Sequence, residues 1–150
     1  MNSRYFILCL TIIYSCTQES NNFDVAELKG KKPLDVEEIL GKPDTTYNRG
    51  ILGKQLFIMR YFNKRDAEFR FLRSSNQLES ITINKPFDLE FSPEVVEEYG
   101  LNYVPTQDYD TSSYFRWKDL DGFSNVNIYK VGMKKPDGVK TYFHIYFDFN

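Results

Sequence analysis

Cysteine is nearly absent from this chain: among 150 residues only Cys9 and Cys16 occur, both within the first sixteen. Nothing downstream can therefore form a disulfide, supply a thiolate nucleophile or build a cysteine-based zinc site. Histidine is scarcer still. His144 stands alone, which excludes a histidine-rich metal site, and no motif identifies partners for a Ser-His-Asp system around it. A surplus of either charge is also lacking. Nineteen Lys and Arg against 21 Asp and Glu leave a formal charge of −2, which gives no reason to expect nucleic acid as a partner. The apolar run from Tyr5 to Tyr14 falls short of the ~20 residues that a membrane-spanning helix needs. No cofactor and no metal are expected.

What is present begins with that run. Met1 to Arg4 is a short positive start, and the apolar stretch after it has the length of a signal-peptide core. It ends in Ile13-Tyr14-Ser15-Cys16. A small residue before a cysteine, with an aliphatic residue two further back, resembles the lipobox cut by the lipoprotein signal peptidase, although Tyr14 stands where a small residue is usual. Bulky Leu8 before Cys9 removes the other candidate. Residues 1–15 are thus expected to be a lipoprotein signal peptide and Cys16 the lipidated residue, the alternative being an ordinary secretory signal or an uncleaved anchor. Residues 16–26 are polar and without periodicity after the cysteine, a tether with a flexible reach of roughly 15–20 Å. Lys29, Lys31 and Lys32 follow, a solvated helix entrance or a contact for anionic head groups.

The stretch GKKPLDVEEILGKPD, Gly30 to Asp44, has the signals of a short helix. Pro33 suits the first turn, where a missing N–H costs nothing. Val36, Ile39 and Leu40 recur at the spacing that places them on one face. Gly41 can take a left-handed position after the helix, and Pro43 stops its continuation. A helix of about nine residues is too short to stand alone, so its stripe must be covered. Gly30, Val36, Leu40, Gly41 and Pro43 stand as G-x5-V-x3-L-G-x-P. That spacing resembles the signature helix of the BamE (SmpA/OmlA) family of small outer-membrane lipoproteins. It is similar as well to the broader group that shares this helix-plus-three-strand module, including the tandem-repeat β-lactamase inhibitor proteins. The resemblance implies one helix followed by a three-strand meander, on about 15 residues strictly and about 60 with the strands.

Aromatics make up 17% of the chain, mostly Phe and Tyr, which favours strands. Asp44 to Lys54 reads as a loop, and Leu56–Asn63, Ala67–Arg73 and Leu78–Asn84 as strands separated by turns. In the second strand Ala67, Phe69 and Phe71 alternate with Glu68 and Arg70. Ser92-Pro93 then opens a second helix with Val95, Val96 and Tyr99 on its apolar face and Gly100 at its end. A shift of 60 residues brings Pro33, Val36, Glu37 and Glu38 onto Pro93, Val96, Glu97 and Glu98, and sets Phe57 over Trp117 and Phe69 over Tyr129. This reads as a degenerate tandem repeat of helix-β-β-β, or as coincidence among common helix-start residues. Strands are predicted at Tyr114–Lys118 and Phe123–Val131 around an Asp121-Gly122 turn. Lys134–Gly138 is a further turn, and Thr141–Asn150 the last strand. In that strand Phe143, Ile145, Phe147 and Phe149 alternate with Tyr142, His144, Tyr146 and Asp148, one face in the core and one in solvent. The fold class is α+β: short helices on a mainly antiparallel sheet, with one half at residues 27–85 and another at 86–150, together one domain.

Few residues suggest chemistry. Asp108, Asp110, Asp119 and Asp121 invite calcium, but the glycine of Asp119-Leu120-Asp121-Gly122 comes too early for an EF-hand loop, and turn residues explain them. The pairs Glu37/Glu38 and Glu97/Glu98 are adjacent on helices and do not face each other. Gly41-Lys42 lacks the rest of a phosphate loop. Tyr61, Tyr114, Tyr129, Tyr142 and Tyr146 could form an outward aromatic face, and Tyr142, His144 and Tyr146 on one strand are the candidate binding residues. Two functions are open: a lipid-anchored, non-catalytic accessory subunit of a bacterial envelope complex, facing the periplasm from the outer membrane, or a lipoprotein that captures glycan or peptidoglycan fragments on its tyrosines. Docking predicts an exposed apolar patch; saccharide capture predicts a concave site with parallel rings. Catalysis lacks a candidate nucleophile, base and orienting group.

Overall fold

In the computed structural model the described residues are 23–86, 91–105, 108–110, 114–135 and 138–149; for 85–86, 108–110, 132–135 and 138–143 the description is of the backbone. Cys16 and residues 1–15, where a signal peptide is expected, lie outside them. From Phe23 the chain already packs, so residues 23–26 do not form part of a flexible tether. Val25 is fully buried and donates its N–H to Tyr99 O at 3.0 Å, and the Phe23 ring lies 5.6 Å from Phe69. Two apolar side chains in three residues outweigh the polar surroundings here.

Helix α1 spans Pro33–Leu40. Pro33 opens it and the Asp35 carboxylate accepts the Lys32 backbone N–H at 2.9 Å, satisfying a donor that the first turn leaves free. Val36 is fully buried and Leu40 packs on the core, whereas Ile39 is 37% exposed. Ile39 therefore points away from the sheet. Gly41 ends the helix at φ 85°, ψ −176°, with its N–H on Glu37 O at 2.9 Å. Its φ is positive as expected, but the backbone is extended and not left-handed helical. The segment Pro93–Tyr99, where a second helix is expected, is 3₁₀. Ser92 Oγ accepts from Glu94 N, Val95, Val96 and Tyr99 are buried, and Gly100 closes it in the left-handed conformation.

Among the described residues eight strands form one antiparallel sheet: β1 Thr45–Ile51, β2 Lys54–Phe62, β3 Ala67–Leu72, β4 Gln77–Pro86, β5 Asp108–Asp110, β6 Tyr114–Leu120, β7 Phe123–Lys135 and β8 Gly138–Asp148. The order is β1-β2-β3-β4-β8-β7-β6-β5. The fold is α+β. Each half is a four-strand meander, and the two meet where β4 pairs antiparallel with β8. Two strands exceed the expectation. Residues 45–51, read as loop, form β1 because Thr45, Thr46 and Tyr47 favour extended backbone and Leu52-Gly53 closes a two-residue turn onto Lys54. β5 adds a short pairing with β6. The turn at Asp121-Gly122 is as predicted: positive φ at both residues, 48° and 81°, joins Leu120 to Phe123.

The core lies on one face of this sheet. Phe69, Phe71, Ile81, Ile83, Val126, Ile128, Ile145 and Phe147 are fully or almost fully buried, with Val36, Val96 and Tyr99 of the helical segments packed over them. Arg60 ties α1 down from the same face. Its guanidinium donates to Pro33 O at 2.9 Å and to Glu37 Oε1 at 2.7 Å, and lies over the Phe71 ring.

Candidate functional site

Among the described residues no helical segment packs on the opposite face of the sheet, and strand register fixes what it displays. Because neighbours across a sheet share a face, the pairings Tyr61–Glu68–Thr82–Tyr146–Asn127–Arg116 form one transverse row. Asn84–His144–Tyr129–Tyr114 form the next. Six strands at the usual separation make the first row ~24 Å wide. Tyr61, Tyr114, Tyr129, Tyr146 and His144 are all partly buried and all lie on this face. The alternation read from β8 holds for the described side chains: Ile145 and Phe147 are buried, while His144 and Tyr146 are not. The backbone of Tyr142 continues that strand, paired with Pro86 and Val131; its side chain lies outside the described residues.

Two polar clusters order the face. In one, the Asp66 carboxylate accepts from the Tyr61 hydroxyl and, at 3.1 Å, from Asn84 Nδ2. Asp66 reaches them from the β2–β3 connection through a left-handed backbone, φ 46°. Burial and this carboxylate push the Tyr61 phenol up to about 12. Beside it the His144 ring lies 5.4 Å from Tyr129. Burial lowers the His144 pKa while Asp66 opposes that shift, so the neutral imidazole prevails at neutral pH. In the other cluster Arg70 donates to Tyr146 Oη at 3.1 Å, sits 2.6 Å from the Glu79 carboxylate and lies over the Phe57 ring. Further along, Tyr114 bonds Asn127 and Arg116 bonds Asn125, each at 3.2 Å.

Sequence alternation already placed Glu68 and Arg70 outward. It missed Asp66, Asn84 and Glu79. Asp66 sits in a turn, and Glu79 is displaced by a register shift opposite Arg70, neither of which a two-residue period can reveal. Among the described residues, no serine, threonine or cysteine is hydrogen-bonded to His144, and no group of three His, Cys, Asp or Glu side chains could hold a metal ion. The exposed aliphatics lie off this face or at its margin, on α1 (Leu34, Ile39), on the β1–β2 hairpin (Ile51, Leu52, Leu56) and at Val104. The arrangement offers phenols, amides, two guanidinium groups and ring faces: hydrogen-bonding and packing chemistry for a partner.

No family model matches this chain, and no curated protein or solved structure matches it either. The residues on which the resemblance rests have these places: Gly30 at φ 70°, Val36 buried, Leu40 on the core, Gly41 at the helix end and Pro43 after it.

Proposed function

We propose that this chain is a non-catalytic interaction protein, anchored in a bacterial outer membrane through lipid on Cys16, which serves as an accessory subunit of an envelope complex facing the periplasm. The observation that carries the docking part is that, among the described residues, the helical segments cover the sheet on one side only. Its open side bears tyrosine and arginine, residue types favoured at protein interfaces, held by hydrogen bonds in a row that needs little ordering on contact. The face is polar and aromatic, not the exposed apolar patch expected of docking, so the partner it suits is hydrogen-bonding and not an aliphatic helix. Lipid attachment rests on the Ile13-Tyr14-Ser15-Cys16 sequence, and the family reading on the Gly30–Pro43 spacing.

A tandem origin of the two halves belongs to this proposal. Both consist of a Pro-initiated, Gly-terminated helical segment followed by four antiparallel strands. The strands do not follow the 60-residue shift of the helices. Phe57 lies on the open face and Trp117 on the core face, while Phe69 is buried and Tyr129 lies on the open face. Matching hairpin registers superposes Phe57–Leu72 on Tyr114–Tyr129, which keeps the paired residues 57–61 and 68–72 on the faces of residues 114–118 and 125–129.

The test is a mild-detergent pull-down of the full-length protein from its native envelope, beside Cys16→Ala and an Arg70→Ala/Tyr146→Ala double variant. A stoichiometric partner lost in both variants supports the proposal. Retention by the Arg70/Tyr146 variant removes the open face from it. Glycan capture is the second reading, favoured by the Asp66 carboxylate and Asn84 amide beside the Tyr129 and His144 rings, although those rings are inclined at 55° and not parallel as expected of such a site; peptidoglycan fragments should then shift the NMR resonances of His144 and Tyr129.

A further inference from the structure

The β1–β2 hairpin ends in a residue that its geometry disfavours. Ile51 pairs with Lys54, leaving Leu52 and Gly53 as the two turn residues, at φ 50° and 77°. Such turns require positive φ at both positions, which suits Asn, Asp or Gly at the first. The chain meets that requirement at the Asp121-Gly122 turn. At the β1–β2 tip it places leucine instead, 98% exposed, beside Ile51 at 62%. Neither local backbone preference nor burial accounts for Leu52. Strained, exposed apolar residues of this kind mark contact sites.

The charges around the tip identify the contact. Between Thr45 and Arg65 there is no Asp or Glu, while Arg49, Lys54, Arg60, Lys64 and Arg65 fall in the same interval. Arg60 is engaged by Glu37 on the core side. Arg49 and Lys54 flank the tip, and Arg73 is fastened to the hairpin through Gln55 Oε1 at 2.8 Å, Asn48 Oδ1 at 3.3 Å and its own N–H on Leu56 O. Among the described residues none of these three cations is in a salt bridge. The whole chain carries −2, so this is a local positive field around a projecting aliphatic tip. A convex tip with two aliphatic side chains and cations behind them matches a surface that is apolar at depth and anionic above, which is the chemistry of an acidic lipid bilayer.

We propose that the β1–β2 hairpin is a membrane-contact element: Leu52 and Ile51 insert at the interface of an anionic bilayer while Arg49, Lys54 and Arg73 pair with the head groups. This contact is independent of lipid on Cys16, and its test uses the full chain carrying Cys16→Ala, so that failure of either reading is seen separately. Leu52→Trp places a reporter at the tip; the one native tryptophan, Trp117, is 1% exposed and gives a constant background. The probes are vesicles of equal parts phosphatidylglycerol and phosphatidylcholine, and vesicles of phosphatidylcholine alone. Expected are a blue shift of the added tryptophan and quenching by brominated lipid with the anionic vesicles. At about fivefold per cation, three cations favour those vesicles on the order of a hundredfold at low salt. Leu52→Asn in the same background supplies the second measurement. Its first turn residue is favourable, so its thermal midpoint should rise, while tip-dependent affinity falls by about tenfold or more. Unchanged affinity of Leu52→Asn, or a water-exposed emission of Leu52→Trp on vesicles that carry the protein, overturns the proposal. So does an emission shift obtained only with a protein partner.

Discussion

Tyr61 shows how a single side chain reports on the open face. Its phenol is pushed up to about 12 first by burial and then by the hydrogen bond to Asp66 and the charge beside it. A folded-state pKa above the unfolded value of ~10 means that the native state holds the proton more tightly. The associated stability is complete below pH ~10 and is lost as pH rises through the folded pKa, because the unfolded chain ionises first. Asp66→Asn keeps a residue type that tolerates left-handed backbone and removes the negative charge. We expect the Tyr61 titration, followed by NMR of labelled tyrosine and assigned with Tyr61→Phe, to fall part of the way towards the ordinary value. A titration that stays near 12 would mean that burial alone holds the proton. Asp66 itself could not be singled out from sequence, because its partners Tyr61 and Asn84 come from strands on either side of β3.

At the scale of elements, legibility followed locality. The two longer helical segments were readable because their signals lie within a few residues: Pro33 and Ser92-Pro93 at the starts, Val36, Val96 and Tyr99 on the buried side, Gly41 and Gly100 at the ends. Ile39 was assigned to the wrong side because α1 is only eight residues long, and a stripe that short leaves its centre undetermined. β1 was missed because every one of its side chains is exposed, so no alternation of apolar and polar residues marks it. Gly41 offers a clean test of the helix end. Its backbone, φ 85° and ψ −176°, falls in a region open essentially to glycine, and a Cβ added there meets nothing within 4 Å. Gly41→Ala therefore probes backbone strain without steric conflict, and should cost about 1–3 kcal/mol in denaturant unfolding. A loss of only a few tenths would show that the helix end relaxes. Arg60→Ala addresses the same element from the sheet. It removes the contacts to Pro33 O and Glu37 and leaves Glu37, only partly solvated, without its counter-charge. Faster amide exchange confined to Pro33–Leu40 is expected, with a stability loss of about 1–3 kcal/mol, between the surface and buried limits for ion pairs.

For the whole molecule the decisive contact is the β4·β8 pairing, and it was not legible. Each hairpin could be read from its own turn, but residues 80–86 and 142–148 are joined by no turn. Their pairing is selected only when both apolar faces are buried together. Ile81, Ile83, Ile145 and Phe147 meet there, each at most 1% exposed, and the core that results includes residues of both meanders. Neither half can close its last strand without the other, since β4 and β8 would each become an unpaired edge with a large apolar face. The two halves should therefore unfold as one. We expect Trp117 fluorescence, which reports on the second half, to change at the same denaturant concentration as amide exchange protection of Phe69 and Phe71 in the first. Ile145→Ala should lower both midpoints together, by an amount equivalent to about 2–5 kcal/mol. Were Trp117 to lose its signal first while β3 stayed protected, the halves would be separable domains that merely abut. Coincident loss would make the continuous sheet, and hence the open face that spans it, a property that neither half possesses alone.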